Sequence, residues 1–139
     1  MTELRRINEP KLKLEPSGQR PRWAWLLFPH LAGLSGASLL ATWNRLPLAA
    51  VSRLGLDKVG HLFAFGGLSF FAVGFFGRAR WKVTVLVIAA LSALEEASQR
   101  YLPARTFDLG DLAANLIGIA VLGLLAARIL ARARPAAAR

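Results

Sequence analysis

Cysteine is missing from all 139 residues, which excludes disulfides and thiolate metal ligands, although it fixes no compartment. Acidic residues are scarce: eight stand against 18 lysines and arginines, for a formal net charge of +10. Charge of either sign is also thin over four long stretches, approximately Trp23 to Trp43, Val59 to Gly77, Val83 to Leu102 and Asp111 to Ala131. Each is close to the about 20 helical residues needed to cross roughly 30 Å of hydrocarbon. What is present agrees, because 55% of the residues are hydrophobic and the mean hydropathy is positive. The expected fold is all-α, a four-helix transmembrane bundle over residues 23–131. Residues 1–22 form a basic N-terminal tail and 132–139 a basic C-terminal tail, which leaves no length for a second domain.

The first run follows basic residues and ends near Ala49-Ala50, as a secretory signal would. Its apolar stretch is about twice the length of a signal-peptide core, so it reads as a retained helix. Orientation follows from the lysines and arginines at the helix ends. The N-terminal tail (Arg5, Arg6, Lys11, Lys13, Arg20, Arg22), the second connection (Arg78, Arg80, Lys82) and the C-terminal end (Arg128, Arg132, Arg134, Arg139) hold 13 of the 18 cations. The other side holds Arg45, Arg53, Lys58, Arg100 and Arg105. The positive-inside rule then places both termini in the cytoplasm of a multi-pass protein of the cell membrane. Trp23, Trp25 and Trp81 fall at the inner edges, Trp43 and Tyr101 at the outer ones. Most of the net charge is therefore topology signal and attraction to anionic lipid, and nucleic acid is not an expected partner.

Small residues suggest helix contacts. Gly33, Ala37 and Ala41 recur every four residues in the first run, and Gly60, Ala64, Gly67, Phe71 and Gly74 share one side of the second. Such stripes let membrane helices approach closely. Pro29 removes a backbone donor and is expected to bend the first helix. The adjacent His30 lies far from the other polar residues and reads as structural or snorkelling.

Those other polar residues gather at the outer ends. A charge near the bilayer centre costs about 2.5 to 3.5 kcal/mol on insertion scales, so Glu95 and Glu96 inside the third run call for a partner or a water-filled cavity. Asp57 and His61, four apart, share one side at the start of the second helix. Ser92, Glu95, Glu96, Gln99 and Arg100 fit an arc of about 140° on the third, and Asp108, Asp111, Asn115, Gly118 and Leu122 one of about 80° on the fourth. Three helices thus aim polar groups at one level. The expected site is a shallow outward-facing cavity lined by Lys58, His61, Glu96, Gln99, Arg105, Asp108, Asp111 and Asn115, with either Glu95 or Glu96 facing inward. No metal or cofactor is expected.

At these positions three blocks stand in order: Asp57-Lys58-Val59-Gly60-His61, then Glu96-Ala97-Ser98-Gln99, then the long run from Arg105-Thr106-Phe107-Asp108-Leu109-Gly110-Asp111 to Asn115-Leu116-Ile117-Gly118. Together they resemble the VanZ-like family of small bacterial membrane proteins, over about residues 57 to 125. Phe65 departs from the tyrosine found in many members. The resemblance implies a role in the cell envelope and, through the founding member, an association with low-level resistance to teicoplanin-type glycopeptides.

Three classes of function stay open. In the first, Lys58, His61 and Arg105 hold an anionic, lipid-linked or peptidoglycan-related envelope molecule. In the second, His61 and Glu96 are the general acid and base of an enzyme acting on a lipid headgroup; no nucleophile motif accompanies them. In the third, the cluster only locks the helices together, with Arg105 clamping Asp108 or Asp111, Asp111 favouring the fourth helix's N-terminus and Asn115 bonding across helices.

Overall fold

The computed structural model describes residues 20–42, 56–102 and 107–133, and the side chains of 41 and 42 lie outside it. Among these residues there are four α-helices and no strand: α1 (Leu27–Thr42), α2 (Leu56–Phe76), α3 (Trp81–Ser98) and α4 (Leu109–Arg132). Short 3-10 turns precede α1 (Arg22–Leu26), precede α3 (Arg78–Arg80) and extend it (Gln99–Tyr101). The helices start and stop within a few residues of the apolar runs.

Among the described residues three segments are long and apolar enough to cross a membrane: Arg22–Leu40, Leu56–Phe76 and Leu109–Arg132. The third run is the exception, because α3 carries Lys82, Glu95 and Glu96 within its 18 residues. Its acid-bearing face is turned inward, and Val83, Leu86, Val87, Leu91 and Leu94 form the exposed one. That is the arrangement of a helix whose apolar side meets lipid and whose polar side meets protein.

The bundle is built on α2 and α4, which run parallel and touch backbone to backbone. A Cβ on Gly118 would collide with the Leu62 carbonyl, and one on Gly66 would come within 2.9 Å of the Gly118 carbonyl oxygen. One turn on, the Ser69 hydroxyl donates to the Ile119 carbonyl at 3.0 Å and packs under Gly123. α3 runs antiparallel to both. Leu27, Ala72, Ile88 and Ile119 form the middle of the core, and Val73, Ala126 and Ala127 the layer beneath, closed by Trp23, Phe70 and Trp81.

The stripe on α2 is the seat of the first segment. His30 Nε2 donates to the Ala64 carbonyl at 2.7 Å, its ring covers Gly67 and meets Phe71 edge-on at 5.4 Å, and Trp23 fills the space over Gly74. His30 is thus structural, as its position implied. Gly60 takes no part, since nothing lies near its Cβ position. Nor does the expected stripe on α1 meet a helix among the described residues: Gly33 and Ala37 are exposed, Gly33 has an open Cβ position, and Ala41 lies outside the described side chains. Pro29 is the third residue of α1, directly after the 3-10 turn Arg22–Leu26, so the donor it lacks falls where the continuous helical segment changes type. Gly77 ends α2 at φ 87°, a conformation that favours glycine, and its N–H closes on the Val73 carbonyl at 2.9 Å.

Candidate functional site

Charge is divided between the two ends of this bundle. One end carries Arg20, Arg22, Arg78, Arg80, Lys82, Arg128 and Arg132, with no acidic residue among the described residues there. An aromatic belt lies beside it, in which the Arg20 guanidinium sits 4.0 Å from the Phe75 ring centre and Trp25 meets Phe75 edge-on at 5.5 Å. At the other end are Asp57, Glu95, Glu96, Asp108 and Asp111, five of the eight acidic residues in the chain, with Lys58 and Arg100. The remaining three acids, Glu3, Glu9 and Glu15, precede the described residues.

The start of α4 organises the acidic end. Asp108 is its N-cap, in an extended conformation, and its Oδ1 accepts the Gly110 N–H at 2.6 Å. This hydrogen bond, followed by the Lys58 ammonium, holds the Asp108 carboxyl below its ordinary value of 3.8. In a capping box the third helical residue would reach back to the N–H of the cap. Here Glu96 does so from α3, its Oε1 accepting the Asp108 N–H at 2.9 Å. Asp111, at that third position, is left to face α2. Its Oδ1 lies 3.1 Å from Lys58 Nζ, and its Oδ2 lies 3.5 Å from His61 Nε2. Lys58 Nζ also reaches Asp108 Oδ2 at 3.2 Å, crossing over Gly110, where a Cβ would come within 2.8 Å of Lys58 Cε.

A polar column descends from this rim. The side chains of Lys58 and Asp108 are 47% and 48% exposed, those of His61 and Asp111 18% and 13%, while Asn115 and Glu96 are at 0%. His61 Nδ1 is 3.1 Å from Asn115 Oδ1. Gln99 is buried against both glutamates, its Nε2 donating to Glu95 Oε1 at 2.9 Å and to Glu96 Oε2 at 3.4 Å. On the same face of α3, one turn below Glu96, Ser92 is fully buried. Ser92 Oγ and Asn115 Nδ2 have no hydrogen-bond partner among the described residues.

Seven of the eight expected residues therefore converge: Lys58, His61, Glu96, Gln99, Asp108, Asp111 and Asn115. Arg105 lies outside the described residues. Glu96 is the inward carboxylate and Glu95 lies beside it, partly covered. Arg100 does not join the column; its guanidinium lies 4.3 Å from the ring centre of Phe107. Phe65, where many members of the resembled family carry a tyrosine, packs against the apolar core. Ser92 belonged to the polar arc of α3 but was not among the expected lining residues. Its signal was there, since it sits four residues before Glu96. Gly110 was missed too, and a glycine two residues after a capping aspartate gave little cue that a lysine from another helix crosses it.

Chemically, the rim offers an ammonium beside two carboxylates, and the interior offers an imidazole, an amide, a hydroxyl and a carboxylate. Such a set can bind a ligand carrying both hydrogen-bond donors and acceptors. Among the described residues no three His, Asp or Glu side chains converge in a way that could hold a metal ion. The family whose model matches this chain is described as VanZ/LLP1, and the match covers residues 10–131. No curated protein and no solved structure matches.

Proposed function

The chain belongs to the VanZ/LLP1 family, and on that footing we propose that it binds an anionic, lipid-linked or peptidoglycan-related molecule of the cell envelope at its acidic, polar end. In this reading it is a multi-pass protein of the cell membrane with the cationic end and both termini in the cytoplasm, as the positive-inside rule requires. The polar end opens outward, and its ligand connects the protein to tolerance of teicoplanin-type glycopeptides.

The observation that carries the reading is the gradient along the column. Lys58 is half exposed at the rim, and full burial of Asn115 and Glu96 lies below it, in a bundle whose other faces are exposed leucine, valine and phenylalanine. Burying polar groups in a membrane helix is costly, and helix packing alone needs only the glycine contacts already present between α2 and α4. Lys58 has three ammonium hydrogens; two point to Asp108 and Asp111. Asp57 Oδ2, at 4.0 Å, is too far to take the third, which leaves it for an oxygen of the ligand.

The test uses the full chain in lipid nanodiscs and a polyprenyl phosphate as probe. Wild type binds it, and Lys58→Gln weakens binding about tenfold, the value of one charge-assisted bond. Arg105→Ala weakens it as well. Equal binding by wild type and both variants, at equal thermal stability, rules the reading out.

One observation favours a second reading. The bond from the Asp108 N–H to Glu96 ties α3 to the start of α4, as a purely structural clasp would. In that case cluster variants lose membrane abundance and no ligand is involved. Acid-base catalysis by His61 and Glu96 has less support, because Glu96 Oε1 is engaged by a backbone N–H.

A further inference from the structure

The bottom of the column contains two polar groups that no described residue satisfies. Ser92 and Asn115 are each fully buried, and Ser92 Oγ and Asn115 Nδ2 find no partner. Buried polar atoms are nearly always hydrogen-bonded, so a pair of orphans at one level calls for an explanation.

They do lie at one level. α3 and α4 are antiparallel, and two contacts set their register: Glu96 with Asp108 at one end and Val85 with Gly123 towards the other. Between these anchors Ser92 falls opposite about residues 113 to 115. Ser92 shares its face with Glu96, and the other amide atom of Asn115 is on His61. Both residues therefore belong to the column, one on the face of Glu96 and the other bonded to His61.

Turning the amide over does not remove the orphan. With Asn115 Oδ1 on His61, the Nδ2 group is a donor without an acceptor. With the amide reversed, Nδ2 donates to His61 Nδ1 and Oδ1 becomes an acceptor without a donor. A hydroxyl, which both donates and accepts, meets either arrangement and the Ser92 hydroxyl too. A phosphate oxygen only accepts, so it meets the first arrangement alone, and at this depth its charge would face Glu96 and Asp111 with Lys58 left behind at the rim.

We propose that Ser92 and Asn115 form the floor of a hydroxyl-binding subsite that takes the sugar of a glycosylated lipid headgroup, while the anionic group of the same molecule stays at Lys58. This rests on the binding function proposed above and specifies the ligand class: a glycosylated polyprenyl phosphate in preference to the bare phosphate.

The experiment compares two probes of equal chain length, a polyprenyl phosphate and its monoglycosylated form, on the full chain in phosphatidylcholine nanodiscs. Wild type is expected to favour the glycosylated probe about threefold to tenfold, the worth of a net hydrogen bond or slightly more. Ser92→Ala should abolish that preference and leave affinity for the bare phosphate unchanged; Asn115→Leu should abolish the preference as well. Ser92→Ala removes only an unpaired hydroxyl, so it carries the test even where Asn115→Leu fails to fold. Equal affinity of wild type for both probes, or a preference that survives Ser92→Ala, overturns the subsite while leaving the anionic-lipid reading in place. Binding of neither probe overturns both.

Discussion

Glu96 on α3 accepts the backbone N–H of Asp108, the cap of α4, at 2.9 Å. The bond spans 12 residues of sequence and replaces the reach-back that the third residue of α4 would make in a capping box. Asp111 occupies that third position and is spent instead on Lys58 and His61. One buried carboxylate thus sets the start of a helix and frees another for the site.

Glu96→Ala leaves the Asp108 N–H without its acceptor and opens a space in a fully buried position. The expected loss is about 1 to 3 kcal/mol. Glu96→Gln keeps an oxygen that can accept the same N–H and should lose less. Chemical or thermal unfolding in detergent, followed by helical circular dichroism, measures both; equal losses for Ala and Gln would show that this bond is not what holds α4.

Ser92→Ala should act in the opposite direction. It removes a buried hydroxyl with no partner, so the ligand-free protein should be as stable as wild type or more so, by up to about 1 kcal/mol. A clear fall in melting temperature would mean that the hydroxyl is paired in the protein.

Gly118→Val should be among the most damaging single changes, because a side chain there meets the Leu62 carbonyl of the adjoining helix. Overpacking of this kind typically costs about 1 to 3 kcal/mol, more where backbones must separate. Gly33→Val, with nothing near its Cβ position, serves as the neutral control. Comparable melting of the two variants would contradict the close crossing of α2 and α4.

These outcomes bear on how much the sequence disclosed. Long apolar runs located all four helices within a few residues, and the polar arcs placed Lys58, His61, Asp108, Asp111 and Asn115 at one end, because helical periodicity is a local property. Glu95 and Glu96 could not be separated that way: adjacent residues differ by about 100° and both fit the arc. Only packing against the start of α4 selects Glu96. The stripe on α2 was legible, but its occupant, His30 and Trp23, was not. The decisive Gly66 and Gly118 contact escaped because it joins single glycines on two helices instead of a repeat on one. Asp108 was read as lining the cavity, and its capping role emerged from the extended conformation that precedes α4.

Asp108 gives a dependence on pH. Its carboxyl titrates below the ordinary 3.8, held there first by the Gly110 N–H and then by Lys58. A depressed folded-state value means that the contribution is complete above 3.8 and disappears as pH falls through the lower folded value. The stability difference between wild type and Asp108→Asn, which still caps but cannot ionise, should stay constant from pH 7 to about 4 and change only below that. A change centred near neutral pH would assign the titration to another group.

The central claim is that the polar column is a working site and more than a clasp. Lys58→Gln, His61→Ala and Asp111→Asn, expressed in a deletion strain, should reach wild-type membrane abundance and melting temperature yet fail to restore its tolerance of envelope-targeting antibiotics. Variants that restore tolerance fully, or that disappear from the membrane in proportion to the tolerance lost, would contradict the claim and leave the cluster as the fastening of a bundle whose function lies elsewhere.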